Sequence, residues 1–343
     1  AVAAEDEYAT VKAAERIAGA AHWDMGPGLE PGDIFQRLRT NNRVSLPVVD
    51  GTPVKEAVPE LGPLPDGAAI TLEAGYERSY LMHGSIGPSA AAALWEDGKL
   101  TVWSHSQGIF FLRQSMAQAL EMEPDDLTVN HAKGSGCYGH NGADDAALDA
   151  ALIARANPGK PVLLKWTRDD EHAWEPYGSA MAMDLRASLD ADGHVIDWSH
   201  ETHSDTHIMR PRPGPDKAGP ARLLAMRHLA EPLDTPVGAP AIGFHLGIHR
   251  NLDPGYDFPQ RRLVKSLVRD LPLRTSTLRT LGAHGNIFAI ECFMDELAQA
   301  AGIDPVDFRL AHLSDPRSQD VIRAANKGLN VGDTPTGRGR GVA

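Results

Sequence analysis

Over residues 5–21 the apolar positions Val11, Ala14, Ile17 and Ala21 recur at helical spacing, which predicts an amphipathic helix lying on a sheet edge. The periodicity then disappears. Residues 24–66 are rich in Pro and Gly (MGPGLEPGD, LPVVDGTPV, VPELGPLPDG) and read as a linker. From Ala68 a period of two or a β-rich composition takes over, in AAITLEAGYERSYL, AAALWEDGKLTVWSHS, DDLTVNHAKG, KPVLLKWTR and AMAMDLRASLDADGHVIDWSHETHSDT. Asp97-Gly98 and Asp192-Gly193 are dipeptides that close antiparallel hairpins. Helical stretches at 111–120 and 144–156 interleave with these strands, which predicts an α+β class of mixed sheets with packed helices. Residues 205–260 are long, Pro- and His-rich, with short helices expected near 221–229; loops of that length are usually functional or partner-facing. A helical pair follows. The stretch 287–301 ends at Gly302, a natural C′ residue, and Asp304-Pro305-Val306-Asp307 supplies an N-cap, a Pro at N1 and an acid at N3 for a helix through Leu313.

The chain of 343 residues is long enough for two substantial cores, and a net charge of -13 disfavours nucleic acid or acidic lipid as a partner. Arg261, Arg262 and Lys265 form a short cationic cluster expected to be solvated. Two cysteines, Cys137 and Cys292, exclude a disulfide framework and are too few for an iron–sulfur cluster. No apolar run reaches the roughly 18 residues of a spanning helix. The first residue is not Met and both ends are abrupt, so the sequence is expected to be a piece of a longer protein.

Gly134 to Gly142, GSGCYGHNG, stands between a strand-like stretch and a helical one, the layout of an anion cradle with free N–H groups and a helix dipole behind them. Gly134-x-Gly136-x-x-Gly139 also matches the dinucleotide fingerprint literally, with Asp169 closing the next strand, so a nicotinamide-dependent dehydrogenase is one alternative. Asn130, His131 and Lys133 interrupt the strand ahead of it, unlike a buried parallel strand. His200, His203 and His207 could suit a metal, but three-residue spacing on a strand sends His200 and His203 to opposite faces, which favours polar strand and loop histidines. Cys137 beside His131 or His140 could be a nucleophile, with a packed turn residue as the preferred reading. Ser135 lacks the glycine two residues before it that a nucleophile elbow requires.

Longer matches are more specific. In order along the chain stand His83-Gly84-Ser85-Ile86-Gly87-Pro88-Ser89, KLTVWSHSQ ending at Gln107, GSGCYGHNG, KPVLLKWTRDDE, LRTLG around Arg279, and NIFAIECFMDELAQAAGIDPVDFRLAHL. Together, over most of the chain, they resemble the large molybdenum-binding subunit of the xanthine dehydrogenase and aldehyde oxidase family. GCYGHNGADD, WEPYG and Gly87-Pro88 are most similar to the branch that includes isoquinoline 1-oxidoreductase and nicotinate dehydrogenase molybdenum subunits. The resemblance implies three parts. Residues 1–66 would be the end of an α/β hammerhead-like domain and a linker, 67–315 the first molybdopterin-binding domain, and 316–343 the start of a second.

The resemblance further implies that Gln107 lies beside the molybdenum oxo ligand and that Gly136, Cys137, Tyr138 and Gly139 form the turn supporting the metal-dithiolene end of the pterin. Arg279 becomes an arginine near the metal centre, and no protein side chain is a metal ligand. The implied activity is water-derived hydroxylation of an N-heteroaromatic or an aldehyde. The general-base Glu is expected C-terminal to this chain, so the chain alone should be catalytically incomplete; Glu175 and Glu291 are expected to be surface or structural carboxylates. The purine-oxidising branch carries a Glu and an Arg where this chain has about Gly142 and Gly178, which argues against xanthine. The implied cofactor is the cytosine dinucleotide form of molybdopterin. The implied partners are a [2Fe-2S] electron-transfer protein and an onward acceptor such as a cytochrome, in the bacterial cytoplasm or periplasm. A non-catalytic scaffold that has lost the cofactor is the second alternative.

Overall fold

The strands expected from Ala68 onward divide between two sheets, and part of the Pro/Gly-rich stretch before them joins one. The computed structural model describes residues 2–24, 26, 28, 32–328, 336–339 and 341. β1 (Arg43–Val49), β2 (Thr52–Pro53), β3 (Ile70–Arg78), β9 (Met181–Leu189), β10 (Val195–Ser204) and β11 (Arg261–Val268) form a six-stranded sheet in the order β2-β1-β11-β10-β9-β3. β4 (Ala90–Glu96), β5 (Lys99–Ser104), β6 (Leu127–His131) and β7 (Val162–Lys165) form a second, in the order β6-β5-β4-β7, and β8 (Tyr177–Gly178) pairs with β12 (Thr275–Ser276). The helices are α1 (Glu7–Ala20), α2 (Ile34–Thr40), α3 (Ile109–Leu120), α4 (Ala143–Ala156), α5 (Arg168–Trp174), α6 (Ala283–Ala301), α7 (Pro305–Ala311) and α8 (Pro316–Gly328).

Both hairpin dipeptides turn as expected. Asp97 and Gly98 take positive φ between antiparallel β4 and β5, and Gly193, at φ 83°, turns β9 into β10. The six-stranded sheet is covered on both faces. Met181, Met183, Leu185 and Ala187 of β9 pack with Ala289, Phe293 and Leu297 of α6, around a fully buried Trp198 whose indole stacks on Phe258 at 4.8 Å. On the opposite face Leu38 of α2 packs with Ala180, Ala182 and Val268. The four-stranded sheet carries α3 and α4. The buried alanines of α4 (146, 147, 150, 151 and 154) present so little side chain that the helix can lie close against Ala91 and Ala93 of β4. α6 closes at Gly302, whose φ of 70° is the left-handed cap, and the Asp304 side chain accepts from the N–H groups of Val306 and Asp307.

Five expectations change. α1 forms, N-capped by Asp6, but buries no side chain; it meets the sheet edge through an exposed ion pair between Glu7 and Lys165 of β7. Within the expected linker, α2 and β1 belong to the six-stranded sheet, because SLPVV supplies inward apolar residues against β11; residues 25, 27 and 29–31 of that stretch lie outside the described residues. The helices near 221–229 are 3-10 turns at Pro220–Arg222 and Leu224–Arg227, the first opened by a proline that cannot donate to a longer ladder. Lys265 is not solvated: β11 is interior to the sheet, and the lysine Nζ is buried against Ala241 O and His249 Nδ1. Finally, α8 extends the helical run past Leu313; of the stretch 316–343, expected as the start of a further domain, residues 329–335, 340, 342 and 343 lie outside the described residues.

The TRDDE motif folds as an N-terminus. Thr167 Oγ1 accepts from Asp170 N while Asp170 Oδ2 accepts from Thr167 N, a reciprocal capping box on α5. Thr167→Ala is expected to cost about 1 kcal/mol, read as a small downward shift of the urea midpoint.

Candidate functional site

β5 and β6 are parallel neighbours, so their C-terminal ends deliver residues 105–107 and 132–140 side by side. The contact is close: a Cβ on Gly134 would stand 2.7 Å from the His105 side chain. Two further segments clamp the turn. On one side Ile86 N donates to Ser135 O and Gly87 N to Ser135 Oγ, at 3.3 and 2.8 Å. On the other, residues 277–279 run antiparallel to 138–140, with His140 N donating to Thr277 O at 2.7 Å and Arg279 N to Tyr138 O at 2.6 Å. Gln107 and Arg279 are therefore brought to the same turn from opposite directions, and both are exposed.

Gln107 is joined to the turn by Arg210, from the long Pro-rich loop. Its Nη2 donates to Gln107 Oε1 at 3.3 Å and to Gly139 O at 3.1 Å, while Nη1 lies 3.3 Å from Asp144 Oδ2. Sequence reasoning missed this residue, since nothing but a basic residue in a loop marks it. The acid it pairs with was more legible: Asp144, with Asp145 beside it, occupies the first turn of α4, where carboxylates complement the dipole.

That observation corrects the expected anion cradle. The first turn of α4 carries the chain's own carboxylates, both buried. Asp144 lies 2.9 Å from His140 Nε2, and Asp145 pairs with Arg274 and accepts from Leu224 N. Burial alone would raise the Asp144 pKa, but His140, Arg210 and Ser106 outweigh it and hold the carboxyl down at about 2. Burial lowers the His140 pKa, and Arg210 stands beside Asp144 as a cation.

The glycines of the turn serve close approach, to protein rather than to an anion at the helix. Gly139 has φ 130°, and a Cβ there would stand 2.1 Å from Thr277 O; a Cβ on Gly136 would meet the Tyr138 ring at 2.7 Å. Tyr138 itself is held at φ 52°. Among the described residues, no hydrogen bond uses the N–H of Gly134, Ser135, Gly136, Cys137, Tyr138 or Gly139. The turn thus offers backbone donors beside the Gln107 amide and the Arg279 guanidinium, a donor-rich surface that fits an anionic ligand carrying many acceptors.

The other expected chemistries do not assemble. β6 is an edge strand of a mostly antiparallel sheet, so the glycine fingerprint does not sit in a doubly wound unit. His140 is occupied by Ser276 Oγ and Asp144, leaving neither nitrogen for Cys137. Ser135 Oγ donates to Gly87 O. His200 is wholly buried between Leu185 and Leu263, His203 faces Asp184 and Arg43, and His207 bonds Ser204. Glu175 is buried, accepting from His83 N at 2.7 Å, so it is structural rather than surface; Glu291 accepts from Tyr256 and Arg309. His83 in turn bonds Thr277 O, which fixes the strand that carries Arg279.

Residues 65–217 match the molybdopterin cofactor-binding domain model. The chain is 34% identical over 94% of its length to a nicotinate dehydrogenase polypeptide of Pseudomonas putida, and covers 25% of that protein. It is 27% identical to the beta chain of isoquinoline 1-oxidoreductase of Brevundimonas diminuta over 66% of its length, covering 26% of that relative. The chain therefore spans about a quarter of the length of these relatives. Among solved structures, an aldehyde oxidoreductase from Desulfovibrio gigas superposes with a TM-score of 0.63 at 21% identity, over 95% of this chain and 34% of that one. Quinoline 2-oxidoreductase from Pseudomonas putida 86 superposes with a TM-score of 0.64 at 16% identity, over 84% of this chain and 35% of that one. These two show a shared fold. No helix among the described residues is long and apolar enough to cross a membrane.

Proposed function

We propose that this chain, whose residues 65–217 match the molybdopterin cofactor-binding domain, forms the cofactor-binding part of a molybdenum hydroxylase acting on an N-heteroaromatic or an aldehyde. The observation that carries the reading is the convergence of Gln107, the Gly136–Gly139 turn and Arg279 on one donor-rich surface. When bound, the cofactor supplies the two-electron oxidation by which a water oxygen is inserted into the substrate. The chain's own residues bind and orient. The N–H groups of Gly136, Cys137, Tyr138 and Gly139 offer fixed donors to the pterin end, the Gln107 amide donates without titrating, and Arg279 balances anionic charge.

Two glycines bear on the substrate. Gly142 and Gly178 stand where the purine branch carries charged side chains, and both are blocked here: a Cβ would meet Trp166 at 2.3 Å and Leu278 at 2.6 Å. This supports a neutral heteroaromatic or an aldehyde over a purine. We read 67–315 as the first molybdopterin-binding domain, 1–66 as the end of a hammerhead-like domain and 316–343 as the start of a second molybdopterin domain. The cytosine dinucleotide form of the cofactor, a general-base Glu outside this chain and a [2Fe-2S] partner protein complete the proposal; the two cysteines here cannot hold a cluster. The test is turnover of an isoquinoline-like neutral heteroaromatic and of an aldehyde in 18O-labelled water by the complete gene product with its partner. Label in the hydroxylated product is expected; an unlabelled product would contradict the reading.

A further inference from the structure

We propose that Arg210 is a positioning residue that fixes which end of the Gln107 amide faces the cofactor. The inference rests on the functional reading above and adds a residue that it did not contain. Arginine carries five N–H donors and no acceptor, so Gln107 can meet it only through oxygen. With Oε1 turned to Arg210 Nη2 at 3.3 Å, the Gln107 NH2 is left as the free end, and the exposed amide presents donors outward. An exposed glutamine would otherwise sample both orientations.

Arg210 is itself held from behind. Its Nη1 lies 3.3 Å from Asp144 Oδ2 and 3.4 Å from Ser106 Oγ, Nη2 also reaches Gly139 O, and the side chain is only 15% exposed. Gly108 makes room for the stem, since a Cβ there would stand 3.0 Å from Arg210 Cδ. A buried carboxylate, a half-buried guanidinium and an exposed amide therefore form one chain, ending at a donor pair beside the turn. The planar fork matters: a lysine places a single point charge and cannot serve Asp144, Gly139 and Gln107 together.

The experiment uses the complete gene product made in a host that supplies the cofactor, with Arg210→Met, Arg210→Lys, Gln107→Glu and Gln107→Ala. Molybdenum per polypeptide is measured, along with the melting temperature. Arg210→Met is expected to lower occupancy about tenfold. Arg210→Lys keeps a cation beside Asp144, so it is expected to keep the melting temperature while still losing occupancy. Gln107→Glu pairs with Arg210 yet has no N–H to present, so it is expected to resemble Gln107→Ala. Adding Arg210→Lys to Gln107→Ala should lower occupancy no further, because the arginine acts on the cofactor through the amide. Wild-type occupancy in both Arg210 variants, with loss in Gln107→Ala, would overturn the inference and leave the cofactor reading intact. A wild-type protein without molybdenum would overturn both.

Discussion

Lowering the pH from 7 to 5 is expected to remove about 4 kcal/mol of folding stability, through His200 and His207. Both imidazoles are buried and held well below the ordinary histidine pKa, each at about 3. Burial is the main cause. His200 lies between Leu185 and Leu263 with neither ring nitrogen hydrogen-bonded, and for His207 the nearby Arg78 and Lys265 add to it. The sign follows from linkage. Between pH 6.5 and 3 the unfolded chain binds these two protons and the folded chain does not, so stability falls as pH falls, by about 1.4 kcal/mol per histidine per unit. The loss begins near pH 6.5. Asp144 adds a second, lower window: its depressed carboxyl contributes above its ordinary range and loses that contribution as the pH drops through about 2. Urea midpoints at pH 7, 6 and 5 check the first window, and His200→Gln should make the slope shallower than in the wild type. An unchanged slope in His200→Gln would show that this histidine is not buried neutral.

Gly139→Ala is expected to cost about 3–5 kcal/mol, a fall in Tm of about 10 °C, and to abolish cofactor retention. Two penalties coincide there. The φ of 130° is one that L side chains rarely adopt, and the new Cβ would stand 2.1 Å from a backbone atom, Thr277 O, that cannot rotate away. Moving that carbonyl would break its bonds from His140 N and His83 Nε2 and shift the strand carrying Arg279. Gly84→Ala is the control. Its φ of 61° is also left-handed, but nothing lies within 4 Å of the new Cβ, so it should cost only about 1 kcal/mol. Differential scanning of both variants separates the close approach from the backbone conformation. Equal melting temperatures would contradict the proposed packing of the turn.

Local signals were legible where local chemistry decides. Asp97-Gly98, Gly193, Gly302 and Asp304-Pro305 encode their turns and caps in one or two residues, and the structure uses each accordingly. The order of motifs around Gln107, Gly136–Gly139 and Arg279 was likewise readable, and the parallel pairing of β5 with β6 explains how they meet. What escaped depends on distant partners. β1 hides in a Pro- and Gly-rich stretch because its apolar run is short and its stability comes from pairing with β11 more than 200 positions later. Lys265 reads as surface by type and becomes interior only through the strand order. Arg210 sits in a segment without periodicity, so only the folded loop shows that it joins Gln107 to Gly139. The anion cradle was misplaced although Asp144 and Asp145 were in view, because two carboxylates in the first turn of α4 already complement its dipole.

We propose that the surface formed by Gln107, the Gly136–Gly139 turn and Arg279 holds a molybdenum-bearing pterin. Elemental analysis of the complete gene product, co-expressed with the proposed iron–sulfur partner in a host that makes the dinucleotide pterin, is the test. Near-stoichiometric molybdenum is expected in the wild type, with a marked loss in Gln107→Ala and Arg279→Ala at unchanged melting temperature. A folded, metal-free wild-type complex would contradict the account and leave a scaffold that retains the fold without the cofactor.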